Sequence, residues 1–221
     1  MISADVLLRP LIMRHVKIPE NIRKMNVAVI LAHPYRKSFN HAIAQTAVRQ
    51  LERNGHVVFL HDLYAENFNP IFTQEELRKD AFLPEAVGVH CREIAEAEGI
   101  IIVHPNWWGQ PSAILKGWID RVVRPGVAYE FLEGDSGEGI PNGLLKAKAA
   151  VVFNTSNTPQ DLESLRCKDA MGNLWKVCVL DTCGVTKVER RLYSPMISST
   201  QQQREGWLKE AAETIKKQFT T

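Results

Sequence analysis

Three short segments of the 221-residue chain carry side chains suited to ligand chemistry. The first, His33-Pro34-Tyr35-Arg36-Lys37-Ser38-Phe39-Asn40, offers an imidazole, a hydroxyl and an amide beside two cations. Where such a loop joins a strand to a helix, the unpaired N–H groups and positive dipole end of that helix favour a bound anion. Ser38 is an N-cap candidate whose hydroxyl could instead serve a phosphate oxygen, and His33 can donate a hydrogen bond or carry charge. The same residues also suit an ordinary capped turn with surface cations. The segment is neither GxGxxG nor GxxxxGK[ST], so it points away from a nicotinamide cofactor held in the Rossmann manner and from phosphoryl transfer.

The second segment, His104-Pro105-Asn106-Trp107-Trp108-Gly109-Gln110-Pro111, sets two tryptophans in a turn bounded by prolines. Two adjacent large aromatics cannot both enter a core from a tight turn, so at least one is expected to face a cleft, where it would suit a planar conjugated ligand. Core packing at a sheet end is the competing reading. The third, Thr155-Ser156-Asn157-Thr158-Pro159, strings together hydroxyls and amides of the kind that rim a flavin or nucleotide, a composition that loops also have by default.

The elements that would position these loops alternate regularly. Apolar, β-branched runs at Val27–Ala32, His56–His61, Gly99–Val103, Ala149–Asn154 and Thr186–Leu192 read as strands. Between and after them, Phe39–Arg53, Glu85–Glu98, Ser112–Val123, Leu174–Thr182 and Gln201–Phe219 read as helices; the first stops at Asn54-Gly55, and the last carries Trp207, Leu208, Ala211, Ile215 and Phe219 on one face. Alternation of this kind predicts an α/β domain, a doubly wound five-stranded parallel sheet with helices on both faces. Ligands of such sheets bind beyond the carboxyl ends of the strands where strand order reverses, which is where the three segments fall.

Composition narrows the partners. With 27 basic and 25 acidic residues the net charge is +2, giving no field to hold nucleic acid or an anionic membrane, and the 45% apolar and 24% charged fractions are those of a globular domain. No apolar run approaches the roughly 20 residues of a membrane-spanning helix. Residues 1–25 read as an N-terminal extension ahead of a domain at 26–221; an arm on a neighbouring surface, a disordered tail and a transit peptide all fit, whereas Arg9, Pro10 and Arg14 interrupt any secretory signal. Cys91, Cys167, Cys178 and Cys183 show no metal-finger spacing and are expected to be free thiols, Cys178 and Cys183 as small buried hydrophobes. His41, His56, His61 and His90 lack carboxylate or cysteine neighbours at ligand spacing and read as surface or helix-face residues, so no metal site is expected. Asp62 follows a strand where a Rossmann fold reads a ribose, but without the glycine fingerprint that role is not assigned.

Several stretches together carry a family resemblance: Ala32-His33-Pro34 with Ser38-Phe39-Asn40, Asp62-Leu63-Tyr64-Ala65 with Asn67-Phe68-Asn69-Pro70, and Pro105 to Trp108 leading into Ala113-Ile114-Leu115-Lys116-Gly117-Trp118-Ile119-Asp120-Arg121-Val122. From Asn26 onward the chain resembles the NAD(P)H:quinone oxidoreductase family of flavodoxin-like fold, which includes quinone reductases related to DT-diaphorase and ancillary flavoproteins of potassium-efflux systems. The resemblance implies a flavin held by His33, Ser38, Phe39 and Asn40 at its phosphate and by Pro105, Asn106, Trp107, Trp108 and Gly109 at its ring. Thr155, Ser156, Asn157 and Thr158 would support the pyrimidine side. Tyr129 matches an aromatic that covers the substrate pocket, often from the partner subunit, and Trp108 and Tyr129 would wall the reacting face. Lys116 and Trp118 would brace the loop and a dimer surface.

Three departures bear on the transfer. Asn157 and Thr158 replace two glycines, so either the backbone avoids positive φ or Asn157 tolerates it. Glu163 and Asp169 stand where mammalian-type members carry a Tyr and a His facing the substrate. The stretch between Pro70 and Pro105 is shorter than in members that wrap an adenine there, and Thr200 replaces an arginine, which favours FMN over FAD. The expected activity is a flavin-dependent NAD(P)H dehydrogenase, using NADH or NADPH and passing two electrons as hydride through the flavin to a quinone or other electrophile by a ping-pong mechanism. It would act as a cytoplasmic homodimer with the active site at the interface. The alternatives are a regulatory flavoprotein subunit of a membrane potassium-efflux transporter and a flavodoxin-type electron carrier; the charge of +2 disfavours the carrier, which would need an acidic docking face.

Overall fold

A computed structural model describes residues 23–132, 134 and 137–219; the expected extension therefore lies outside the described residues up to position 22. The elements run β1 (Asn26–Leu31), α1 (Phe39–Arg53), β2 (Val57–Asp62), α2 (Glu85–Glu96), β3 (Gly99–Pro105), α3 (Ala113–Val122), β4 (Tyr129–Glu130), β5 (Asn142–Gly143), β6 (Ala149–Thr155), α4 (Gln160–Cys167), α5 (Ala170–Asn173), β7 (Val188–Tyr193) and α6 (Gln201–Gln218). Five strands form a parallel sheet in the order β2-β1-β3-β6-β7. Relabelled along the sheet's own strands this is 2-1-3-4-5, the flavodoxin-like order, with its switch point between β1 and β3. The short β4 and β5 pair as an antiparallel ribbon.

The central strands are buried throughout because both faces are covered. Along β3 every residue from Gly99 to Pro105 is buried, and the same holds for β6. Alternate residues serve opposite layers: Ile30, Ile100, Ile102 and Val152 pack with Leu115, Trp118 and Trp175, while Val29, Ile101, Val151 and Phe153 pack with Ile43, Leu51 and Ile215. Each such side chain contributes on the order of 1.5–3 kcal/mol by leaving water, which fixes the register of the sheet and so the height of the loops at its carboxyl edge.

Helix α1 matches its sequence boundaries because both ends carry stop signals. Ser38 caps it, its hydroxyl accepting from the His41 N–H, and Gly55 turns away at φ 82°. Gly117, in the middle of α3, is required by proximity: a Cβ there would stand 2.2 Å from the Pro70 carbonyl oxygen. The Asn67–Pro70 turn is pinned from the same helix, Arg121 pairing with buried Glu76 at 2.6 Å and donating to the Asn69 carbonyl.

Five points differ from the expectations. Helix α4 was not foreseen, since its eight residues are mostly polar and its N-cap, Pro159, makes no side-chain cap bond. Leu174–Asp181 is wound as a π-helix rather than an α-helix, and Cys178 on it is exposed, whereas Cys183 is buried; with buried Cys91 both are free. Lys116 braces no loop: it pairs with Asp120 one turn along its own exposed face. Trp118 likewise ties to another helix rather than to the loop, donating from its indole nitrogen to His90 Nδ1 of α2 at 3.0 Å. Finally, His41, His56, His61 and His90, expected on the surface or on a helix face, are all buried; His41 and His90 do lie on helices, α1 and α2.

Candidate active site

The carboxyl ends of β1, β3 and β6 open into one cavity of about 290 Å³. His33, Ser38, Phe39, Asn40, Pro105, Asn106, Trp107, Thr155, Ser156, Asn157 and Thr158 line it, so the three segments singled out from the sequence converge. Met196 also lines it, a residue without a sequence signal; its N–H reaches the Ser156 carbonyl at 2.8 Å. Trp108, Gly109 and Tyr129 lie outside that wall.

Their placement has a local cause. Trp107 and Gln110 exchange two backbone hydrogen bonds, at 3.1 and 3.0 Å, across a turn whose central residues Trp108 and Gly109 both have positive φ, 59° and 73°. That is a type I′ turn, in which a glycine is at ease and a tryptophan is strained. The turn keeps Trp107 at the cavity and holds Trp108 at the tip, 100% exposed. Tyr129 sits half-buried in β4, edge-on to Phe131.

Hydrogen bonding settles several protonation patterns. Tyr35 N–H donates to His33 Nδ1 at 3.1 Å, which leaves His33 Nε2–H as its free donor, and burial holds this imidazole below its ordinary pKa. The Ser38 hydroxyl lies 3.0 Å from His41 Nδ1, and His41 Nε2 lies 3.2 Å from Asp62. With the Nε2–H given to the carboxylate, Nδ1 accepts the Ser38 proton, so the hydroxyl oxygen, not its hydrogen, is what remains at the helix start. The third loop avoids positive φ: among the described residues only Asn67, Trp108, Lys168 and Asp169 adopt it outside glycine. Instead Thr158 N–H closes the turn on Ser156 Oγ at 3.1 Å.

Behind the cavity lies an ionic network. Arg190 of β7 donates to Asn154 Oδ1 at 2.7 Å, Glu163 Oε1 at 2.8 Å and Asp169 Oδ1 at 2.5 Å. Glu163 and Asp169 are thus engaged by a guanidinium. Beneath it His104, fully buried, accepts at Nε2 from Trp175 at 2.9 Å and donates at Nδ1 to the Pro105 carbonyl at 2.8 Å. Burial, abetted by the Arg190 charge, pushes its pKa down to about 4.

Two cavity-lining amides keep a buried oxygen without any partner: Asn40 Oδ1 and Asn106 Oδ1. Unmet acceptors in a wall are costly unless a ligand supplies donors. The hydroxyls and ring N–H of a flavin are donors of that kind, and the α1 amino end suits its phosphate, so the residues present fit the group.

One other cluster has metal-ligand composition, His61, Glu66 and His90. His61 Nδ1 and His90 Nε2 lie 3.3 and 3.1 Å from the two Glu66 oxygens, and the rings stack at 3.9 Å. Because Trp118 can only donate, His90 Nδ1 must accept and Nε2 carries the proton, so that nitrogen has no lone pair for a metal. Burial alone would raise the Glu66 carboxyl, but the bonds from both histidines outweigh it and bring it down to about 2. Glu66 lies only five positions after His61, a spacing that matches no metal-ligand motif, and His90 comes to it from α2, a separate element.

A cleft at the switch point of a 2-1-3-4-5 parallel sheet, with an anion-favouring helix start on one side and a tryptophan-bearing turn on the other, defines a flavodoxin-like ligand-binding protein. The family model described as flavodoxin-like fold matches residues 25–219. An uncharacterized NAD(P)H oxidoreductase of Haemophilus influenzae is 32% identical over 200 residues, covering 89% of this chain and 96% of that protein. The NAD(P)H dehydrogenase [quinone] 1 of Cavia porcellus is 30% identical over 188 residues, spanning 74% of this chain and 66% of its own length. Among solved structures, the NAD(P)H:quinone oxidoreductase from Methanothermobacter marburgensis superposes with a TM-score of 0.73 at 28% identity, covering 87% of this chain and 96% of that one. The chain belongs to the NAD(P)H:quinone oxidoreductase family, and it is an oxidoreductase.

Proposed function

We propose that the protein binds FMN in this cleft and reduces quinone-like acceptors by two electrons at the expense of NADH or NADPH, the oxidised nicotinamide leaving before the acceptor enters. The observation that carries this reading is the convergence of three strand-end loops on one cavity whose wall holds two unpartnered amide oxygens. When bound, the flavin supplies reversible hydride chemistry at its ring. The chain itself orients and stabilises. The α1 start with His33 Nε2–H would meet the phosphate, Asn40 and Asn106 would accept from ligand donors, and the Ser156 to Thr158 loop would steady the charge that reduction places on the ring.

FMN is preferred over FAD because Thr200, where FAD-binding members of the family carry an arginine, is spent on structure: its hydroxyl and Gln203 form a capping box at the start of α6. Trp108 and Tyr129, outside the wall of a single chain, would complete the substrate face in a homodimer whose partner closes over the turn. No helix among the described residues is long and apolar enough to cross a membrane, and the proposed setting is the cytoplasm. The test is to purify the protein, release its small molecule by mild denaturation and identify it by mass, then follow NADH and NADPH oxidation with a soluble quinone. FMN and quinone-dependent turnover are expected; a protein that stays colourless after incubation with FMN or FAD and shows no turnover overturns the reading.

A further inference from the structure

Glu163 does not line the cleft, yet it governs a residue that does. Its Oε1 accepts from Arg190 at 2.8 Å and its Oε2 from Asn106 Nδ2 at 2.7 Å. A carboxylate held by a guanidinium only accepts, so the Asn106 end facing it has to be the NH₂. The carbonyl is thereby turned the other way, and Asn106 Oδ1 is the buried oxygen left without a partner. Asn40 provides the contrast: its Nδ2 sits 2.9 Å from the Thr155 hydroxyl, which donates as readily as it accepts, so that amide could turn over and keep its bond. Glu163 cannot swing aside, because Arg190 is itself fixed by Asn154 and Asp169, and Asp169 caps α5 through the Gly172 N–H.

We infer that Glu163 is a positioning residue: it holds the Asn106 amide with its nitrogen on the carboxylate and leaves its carbonyl oxygen as an unpaired acceptor in the cleft wall, so that the site selects a ligand bearing an N–H or O–H donor at that point. The inference rests on the flavin reading above, and it gives the position where mammalian-type relatives carry a substrate-facing tyrosine a different task, that of aiming an acceptor.

The experiment uses flavin-free full-length protein titrated with FMN and with riboflavin, followed by quenching of flavin fluorescence, for wild type, Glu163→Gln, Asn106→Leu and the double variant. Glu163→Gln can offer Asn106 an NH₂ and let the amide turn; it is expected to weaken both flavins about five- to tenfold, Asn106→Leu about tenfold, and the double variant no more than Asn106→Leu alone. Loss of a negative charge near an anionic ligand would by itself tighten FMN and leave riboflavin unchanged, so equal weakening of both separates positioning from simple electrostatics. Glu163→Asp, which keeps the Arg190 pair but draws the oxygen back from Asn106, is expected to weaken binding in the same direction while the flavin-free protein melts within about 3 °C of wild type, which separates the effect from a loss of fold. Unchanged affinity in Glu163→Gln, or effects that multiply in the double variant, overturns the inference while leaving the flavin reading intact. Failure of the wild type to bind either flavin overturns both.

Discussion

Two cavities on this molecule differ in a way that size does not capture. The groove between β2 and α2 encloses about 590 Å³, the strand-end cleft about 290 Å³. The larger one is lined by His61, Glu66, His90 and Glu93, a set that looks more reactive on paper. Its polar groups are turned on one another: both Glu66 oxygens face imidazoles, His90 is closed off by Trp118, and His61 Nε2 stands 2.8 Å from Glu93, although off the line of a good hydrogen bond. In the smaller cleft two amide oxygens face no partner at all. The groove's one unpartnered buried atom, His61 Nε2, still has a carboxylate beside it, whereas the two amide oxygens of the cleft lining have no such neighbour, which is what sets the two cavities apart.

Breaking the cleft side of the comparison gives the largest expected effect. Asn40→Leu with Asn106→Leu removes both unmet acceptors and should weaken FMN by about 100-fold or more in a fluorescence titration. The same titration on His90→Gln, in the groove, should show no change, and weakening there would erase the distinction. Next comes the buried imidazole beneath the cleft. His104 has a folded pKa of about 4 against an unfolded value near 6.5, so the unfolded chain binds the extra proton first. The contribution is fully present above about pH 6.5 and is lost as pH falls toward 4, about 3 kcal/mol in all. Denaturant melts across that window should show the decline, and an NMR titration in which His104 charges near 6 would refute it.

On the groove side, Trp118→Phe leaves His90 Nδ1 buried and without its donor, which should cost about 1–3 kcal/mol of stability with FMN affinity unchanged. Equal losses of stability and affinity would mean the two cavities are coupled. The smallest effect is that of Lys116→Ala. Its pair with Asp120 is exposed on both sides, and a melting shift equivalent to more than about 0.5 kcal/mol would show that α3 carries a role beyond the one its geometry displays.

How much of this was legible in the sequence divides along the same line. The strands of the sheet, helix α1 with its Ser38 cap and Gly55 stop, and the meeting of His33–Asn40, His104–Pro111 and Thr155–Pro159 follow from local apolar runs, local stop signals and one topological rule. What was hidden depends on pairing across crossovers. His56, read as a surface residue, accepts a place between Met25 and Phe219, 163 positions away. Arg190 lies in an edge strand whose charged residues, Glu189-Arg190-Arg191, look like a solvated face, yet its side chain turns inward because three acceptors, on β6, on α4 and at the cap of α5, await it. The tip position of Trp108 was equally invisible, since it follows from a turn type that tryptophan does not signal.

Arg190 gives the sheet edge an influence over the cleft that a map of first contacts would miss. A planar fork that reaches three separate elements cannot be replaced by the single ammonium of a lysine. If Glu163 aims Asn106 as inferred, a library confined to the cleft lining would leave untouched an outermost-strand residue that sets the orientation of one of its walls.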